Sequence, residues 1–155
     1  MNDVKVLVIN PVTCLPEGEE QVGAEWFLSL FAIFDDAACD FIIADSDNIG
    51  GLVGDYHGIV VWDNEESAWE DNWRNDCLLD VIAICQFKKI PFLGVGFGAE
   101  ILARALDGTQ IERSELKEFS HKELLYGVPF GSEEPAQVLL GFVNRLKRVL
   151  PEKVN

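Results

Sequence analysis

The stretch Pro91–Gly108, PFLGVGFGAEILARALDG, predicts a strand, a sharp glycine turn and a helix, in that order. Gly96 stands at the apex of the turn. α/β enzymes present a nucleophile on a turn of this shape, because it lifts one side chain above the sheet and the helix N-terminus beneath it favours developing negative charge. Here the apex residue has no side chain with which to react.

Strand-like and helix-like stretches alternate on both sides of this turn. Besides the strand opened by Pro91, the predicted strands are Val4–Ile9, Phe41–Ala44, Gly58–Trp62 and Leu124–Val128, and the flanking predicted helices are Glu17–Phe34, Ser67–Lys89 and Glu134–Leu150. Such alternation implies right-handed βαβ crossovers and a sheet covered on both faces. We therefore predict one α/β domain over residues 1–155, with a doubly wound, mostly parallel sheet of the flavodoxin-like kind.

The charge of the chain limits its partners. It carries 12 basic and 27 acidic residues, which give a formal net charge of −15. An average field of this sign repels nucleic acid and anionic membranes, so we expect neither as a partner. The N-terminal MNDVKVLVIN enters a strand-like run without the features of a targeting signal. We expect a cytoplasmic protein.

The glycine turn resembles the nucleophile elbow of the class I glutamine amidotransferases, whose pattern is Gly-x-Cys-x-Gly-His-Gln followed by an amphipathic helix that ends in Gly. The residues that match this frame are Gly94, Gly98, Leu102, Ala105, Leu106 and Gly108. Gly96 replaces the cysteine, and Ala99 and Glu100 replace His-Gln. The resemblance implies that the scaffold is kept and the nucleophile is lost.

A late segment, YGVPFGSEE, resembles the Phe-His-Pro-Glu segment that holds the rest of the family's catalytic triad. Phe130 matches the phenylalanine, Gly131 stands at the histidine, Ser132 at the proline, and Glu133 matches the glutamate. A thiol needs a neighbouring base, and the base needs an orienting acid. The resemblance thus implies that only the orienting acid, Glu133, is left.

The loop after the third predicted strand also departs from the family. There the strand ends in a Gly-Gly-Pro-like turn that helps to form the oxyanion hole, whereas here GIVVW continues into Asp63, Asn64, Glu65 and Glu66. Carboxylates at this place oppose an oxyanion. The segment that walls the family's glutamine pocket is shortened to about Thr109–Leu125. The loop therefore argues against acyl chemistry.

We therefore predict a catalytically inactive amidotransferase-like protein that acts by binding or regulating another protein, without a cofactor. The predicted contact region, here called the rim, consists of Asp63, Asn64, Glu65, Glu66, Gly96, Phe97, Glu100 and Glu133. Two alternatives stay open. One is an enzyme of another class that uses Glu100 and Glu133 as acid and base, and the other is a small-molecule sensor.

Other candidate sites are weaker. The run Gly94–Gly98 could cradle an anion but does not complete GxGxxG, because Glu100 follows in the first helical turn. Asp45–Gly50 begins like an EF-hand loop, yet Ile49 occupies a ligand position and Tyr56 falls where the glutamate belongs, so we predict a polar turn. Neither histidine, His57 nor His121, has a ligand spacing, so surface or edge roles are expected for both.

The cysteines and tryptophans allow two interpretations each. The four cysteines lack metal or redox spacing. Cys77 and Cys85 share one face of a predicted helix and are expected to pack as small hydrophobes, whereas Cys14 lies in a loop and looks more reactive. Trp69 and Trp73 either dock that helix onto the sheet or form a binding patch at the strand ends.

Overall fold

The computed structural model describes residues 4–11, 26–32, 34, 37–43, 49–64, 67–108, 110–131 and 133–154. The strands are β1 (Val4–Asn10), β2 (Ala37–Ile43), β3 (Gly58–Val61), β4 (Phe92–Val95), β5 (Phe119–His121) and β6 (Leu125–Val128). The helices are α1 (26–31), α2 (Ile49–Leu52), α3 (Trp73–Lys88), α4 (Phe97–Leu106) and α5 (Pro135–Val154).

In the described part of the chain, these strands form one six-stranded sheet in the order β2-β1-β3-β4-β6-β5. Neighbouring strands from β2 to β6 are parallel, and β5 pairs antiparallel with β6. The order reverses direction between β1 and β3, as it does in doubly wound folds. The predicted mostly parallel α/β architecture is confirmed.

Both faces of the sheet are buried because the side chains of each strand alternate between two cores. On β1, Leu7 and Ile9 belong to a first core, and Val6 and Val8 to a second. Helices α3 and α4 cover the first core with Leu78, Val81, Ile82, Ile101 and Leu102. Helices α1 and α5 cover the second with Phe27, Phe31, Leu139, Phe142 and Val143.

Helix α4 starts in direct contact with the sheet, and two glycines permit this approach. A Cβ built on Gly98 would lie 2.1 Å from the carbonyl oxygen of Val61, and one built on Gly94 would lie 2.3 Å from the carbonyl oxygen of Gly98. No other residue type fits at either position without backbone movement. These are two of the frame residues on which the sequence resemblance depends.

Helix α3 begins at Trp73, later than the predicted Ser67, because a cap and a turn precede it. The side chain of Asn72 accepts a hydrogen bond from the Asn75 N–H at 2.8 Å, which is an N-cap. The Asn75 side chain is fully buried and donates to the carbonyls of Ser67 and Glu70 at 3.1 and 2.9 Å. The apolar stripe extends beyond the helix into a turn that Asn75 organises.

Two strand predictions need correction. Strand β2 begins at Ala37 rather than Phe41, because an edge strand with one solvent-facing side tolerates Asp40 within it, and that acid interrupts the apolar run used for the prediction. Ala44 lies outside the described residues. Strand β5 was not predicted, since three residues within a polar segment carry no readable alternation.

The outer helices match the prediction in part. Of the predicted helix Glu17–Phe34, residues 26–31 are helical, Phe34 is not, and 17–25 lie outside the described residues. Helix α5 begins at Pro135, after Glu134, whose carbonyl accepts from the Gln137 and Val138 N–H groups. No helix in the described ranges has both the length and the apolar character needed to cross a membrane.

Replacing Leu102 by Ala tests the packing of α4. Leu102 is fully buried in the first core, so Leu102→Ala should lower the free energy of unfolding by about 2–5 kcal/mol. Leu28→Ala is the matched control: Leu28 is 51% exposed and its loss should change stability by no more than about 0.5 kcal/mol. Urea denaturation of both variants measures the difference, and equal effects would contradict this packing.

Candidate functional site

The turn between β4 and α4, here called the elbow, has Gly96 at its apex with φ 57° and ψ −109°. L-residues are strained in this region and glycine is not. The Gly96 N–H donates to the carbonyl of Val128 at 2.9 Å, and the Gly96 carbonyl accepts from the Glu100 N–H at 3.0 Å. The apex is thereby tied to the end of β6 on one side and to the first turn of α4 on the other.

Asp63 covers the elbow. It follows β3 closely, and its Oδ1 accepts a hydrogen bond from the Phe97 N–H at 2.9 Å. A carboxylate is stabilised at this place because the first N–H groups of a helix lack partners within it and the helix dipole is positive there. A Cβ built on Gly96 would lie only 2.0 Å from the same Oδ1. Asp63 therefore occupies the space into which a side chain at the apex would project.

Glu100 lies beneath this cover and is paired. It is 4% exposed, and its Oε1 is 2.9 Å from Nε of Arg113. A terminal nitrogen of Arg113 also donates to the carbonyl oxygen of Asn64 at 3.0 Å. One guanidinium thus links α4 to the loop that carries Asp63. Sequence reasoning missed Arg113, although an acid in the apolar start of a buried helix signals that a basic partner is needed.

Phe97 anchors the elbow from inside the molecule. Its side chain is fully buried, and the guanidinium carbon of Arg74 lies 5.2 Å from its ring centroid. Arg74 is itself buried and donates twice to Oδ1 of Asn75, at 3.1 and 2.9 Å. Burial lowers the pKa of Arg74 from its ordinary value. Phe97 was predicted as a rim residue, and its side chain supports the rim without reaching the surface.

The remaining rim residues are spread around the elbow. Asn64 is half-buried beside Asp63, and Glu65 and Glu66 lie outside the described residues. Gly131 and Glu133 are exposed beyond the end of β6. Gly131 has φ 89°, and among the described residues no atom lies within 4 Å of where its Cβ would be. Their joint role in binding stays a prediction.

Phe130 is a rim neighbour that the predicted contact region left out. Its side chain is 56% exposed, and it follows β6 just as Asp63 follows β3 and Gly96 follows β4. Since these strands are parallel, all three positions lie at the carboxyl edge of the sheet. The sequence signal was present in the match of Phe130 to the family's phenylalanine.

The described cysteines are packing residues. Cys85 is fully buried in the first core, Cys77 packs against that core, and Cys39 is buried in β2. Burial raises the pKa of Cys85 to about 12, and burial followed by the nearby charge of Asp40 raises the pKa of Cys39 to about 11. Thiols with such values stay protonated and unreactive at neutral pH. Cys14 lies outside the described residues.

No metal site is found within the described ranges, where no three His, Cys, Asp or Glu side chains are grouped to hold an ion. Of the predicted polar turn Asp45–Gly50, the first four residues lie outside these ranges, and Ile49 is fully buried at the start of α2. His57 accepts from the Lys5 N–H through Nδ1 at 2.8 Å, and His121 lies in the edge strand β5.

The tryptophans of the predicted patch differ in environment. Trp69 packs against the first core, whereas Trp73 is 52% exposed, so only Trp69 contributes to docking α3. Farther from the elbow, an open groove of about 370 Å³ lies between the C-terminal halves of α3 and α4. Leu79, Ile82 and Arg104 are among its lining residues.

Comparison with solved structures agrees with this geometry. A protein from Thermoplasma acidophilum that is named for one of the subunits of GMP synthase superposes with a TM-score of 0.69 at 13% identity, over 100% of both chains. The chain has the class I glutamine amidotransferase fold. At this identity the likeness concerns the fold alone. No protein-family model and no curated protein matches the sequence.

A second solved structure is more distant. The glutaminase domain of Trypanosoma brucei CTPS, with bound acivicin, has a TM-score of 0.45 at 14% identity, over 66% of this chain and 41% of that chain. This score is too low to bear on the site.

A double-mutant cycle tests the contact between Asp63 and the apex. Gly96→Ala should destabilise the fold by more than the usual backbone strain of about 1–3 kcal/mol, because the new Cβ also meets Asp63. Asp63→Gly alone should cost about 0.5–2 kcal/mol through loss of the cap. The double variant should be more stable than the sum of the two losses predicts, by at least about 1 kcal/mol, since the clash is gone.

Gly108→Ala is the control for this cycle. Gly108 also has a positive φ, 78°, but among the described residues no atom lies within 4 Å of its Cβ position. Its replacement should show backbone strain only and should combine additively with Asp63→Gly. Additive behaviour at Gly96, measured by thermal or urea unfolding, would refute the steric role of Asp63.

Proposed function

We propose that this chain is a catalytically inactive amidotransferase-like protein that acts by binding another protein. The observation that carries the proposal is the Asp63 carboxylate on the Phe97 N–H, beside an apex without a side chain. Hydrolysis of glutamine by this kind of fold needs a nucleophile at the apex and backbone donors for the oxyanion. Here the apex is glycine, and the donor next to it already holds an anion.

The positions that resemble the rest of the triad support the same conclusion. Gly131, which stands at the base, is exposed and has no side chain. Glu133, which matches the orienting acid, is exposed as well. An acid without an imidazole to orient contributes little to acyl transfer. The fold therefore has the frame of a glutaminase and lacks the groups that would perform its chemistry.

The exposed side of the rim supports a binding role. Phe130 leaves more than half of its surface in water at the carboxyl edge of the parallel strands, where α/β folds bind their ligands. Aromatic residues are enriched at protein interfaces and often dominate their energetics. Asp63, Asn64 and Glu133 provide a polar and acidic surround, while Phe97 and Glu100 support it from within.

The two alternatives have less support. An enzyme based on Glu100 and Glu133 needs both carboxylates at one ligand, whereas Glu100 is buried against Arg113 and Glu133 is exposed. A small-molecule sensor would use a cavity such as the groove between α3 and α4, and ligand-dependent thermal stabilisation would reveal it.

A glutaminase assay tests the loss of chemistry. The purified chain should release no glutamate from glutamine above the buffer rate, with or without ammonia acceptors, because it lacks an apex nucleophile and its base. An electrophilic glutamine analogue should leave the intact mass unchanged. Cys14→Ser is the control for an unexpected thiol. Turnover that Cys14→Ser or Asp63→Asn abolishes would overturn the proposal.

Paired phenylalanine variants test the binding role. Phe130→Ala should abolish retention of a host protein by the tagged chain, because an exposed aromatic at the rim is removed. Phe87→Ala is the matched control: Phe87 is 86% exposed at the C-terminal end of α3, which leads into the amino end of β4. A purified partner whose affinity falls for Phe87→Ala and is unchanged for Phe130→Ala would place binding elsewhere and reject the rim.

A further inference from the structure

Two short segments meet over the elbow, and a single guanidinium joins them. The cover is residues 62–64, which carry Asp63, and the strap is residues 110–116, which carry Arg113. Arg113 contacts Oε1 and Oε2 of Glu100 at 2.9 and 3.3 Å through Nε and Nη2, and Nη2 also contacts the carbonyl oxygen of Asn64 at 3.0 Å. We propose that the Arg113–Glu100 ion pair holds a removable cover over the elbow, and that cover and strap open together.

The strap has few other anchors in the fold. Within 110–116, Leu116 is buried and Ile111 is half-buried, and the other residues are exposed. Its short 3₁₀ turn, Arg113–Glu115, has hydrogen bonds that stay close to the turn itself. Segments with little buried apolar surface open at lower free energy than the core. The strap is therefore a segment where local opening is expected.

Opening of the strap affects the cover because their contacts are shared. When Arg113 leaves, the Asn64 carbonyl loses a charged donor and the buried Glu100 loses its counter-ion. An unpaired buried carboxylate is strongly unfavourable, so the closed arrangement is favoured at rest. Once the strap is open, only local contacts hold Asp63 on the Phe97 N–H. The two segments thus form one cooperative unit.

The two states present opposite electrostatics at the apex. With the cover closed, the elbow shows a carboxylate. With it open, the elbow shows the bare main chain of Gly96 and the Phe97 N–H at the positive end of the α4 dipole. The device would therefore change which chemical groups can approach the elbow. It concerns the chain by itself and does not depend on the identity or existence of a partner.

Backbone amide exchange tests the proposal on the isolated protein. In Arg113→Gln the Phe97 amide should exchange at least about tenfold faster than in the wild type, because loss of a charge-assisted contact releases the cover. The amides of Val60 and Leu93, in the sheet centre, should keep their rates. Lys117→Gln makes the same charge change just beyond the strap and should leave Phe97 unaffected. Asp63→Ala gives the rate of a fully uncovered elbow.

Each other result counts against the device. Unchanged Phe97 exchange in Arg113→Gln, with faster exchange in Asp63→Ala, would show that Arg113 does not hold the cover. Equally raised exchange at Phe97, Val60 and Leu93 would show a general loss of stability instead. If Arg113→Gln does not fold, Arg113→Lys keeps the charge beside Glu100 but loses the forked contact, and it should raise Phe97 exchange by a smaller factor.

Discussion

The direct contact of α4 with the sheet is the constraint on which the site depends. Gly94 and Gly98 let the helix start against the backbone of β3 and β4, without intervening side chains. The first N–H groups of α4 therefore lie beside the loop that follows β3, close enough for Asp63 to reach Phe97. A helix held farther away by side chains would leave that N–H to water, and the elbow would have no cover.

Within this frame, charged residues serve the interior more than the surface. Arg74, Glu100 and Arg113 stack on or bond to neighbours around the elbow. Each arrangement satisfies a charge that would otherwise be costly to bury. In a chain of net charge −15, basic residues are scarce, and these two arginines are used to hold the elbow together. The acidic character of the rim follows partly from that use.

The sequence sufficed for the architecture because apolar periodicity and glycine placement are local signals. Strands β1, β3, β4 and β6 and the elbow were predicted nearly at their observed bounds. It failed where the cause is tertiary. Asn75 ends the apolar stripe of α3 by bonding to a preceding turn, and Phe97 and Glu100, predicted on the rim, are buried by contacts with Arg74 and Arg113. Nothing in the order of residues relates Arg113 to Asn64.

The overlap between Asp63 and the apex also constrains how such a sequence can change. A thiol at residue 96 and a carboxylate seated on the following N–H exclude each other, since both need the same volume. Any mutational path from this chain to one with a cysteine there must alter the loop after β3 first. Substitution in the opposite order passes through an intermediate that is crowded as well as inert, so the present arrangement resists reversion.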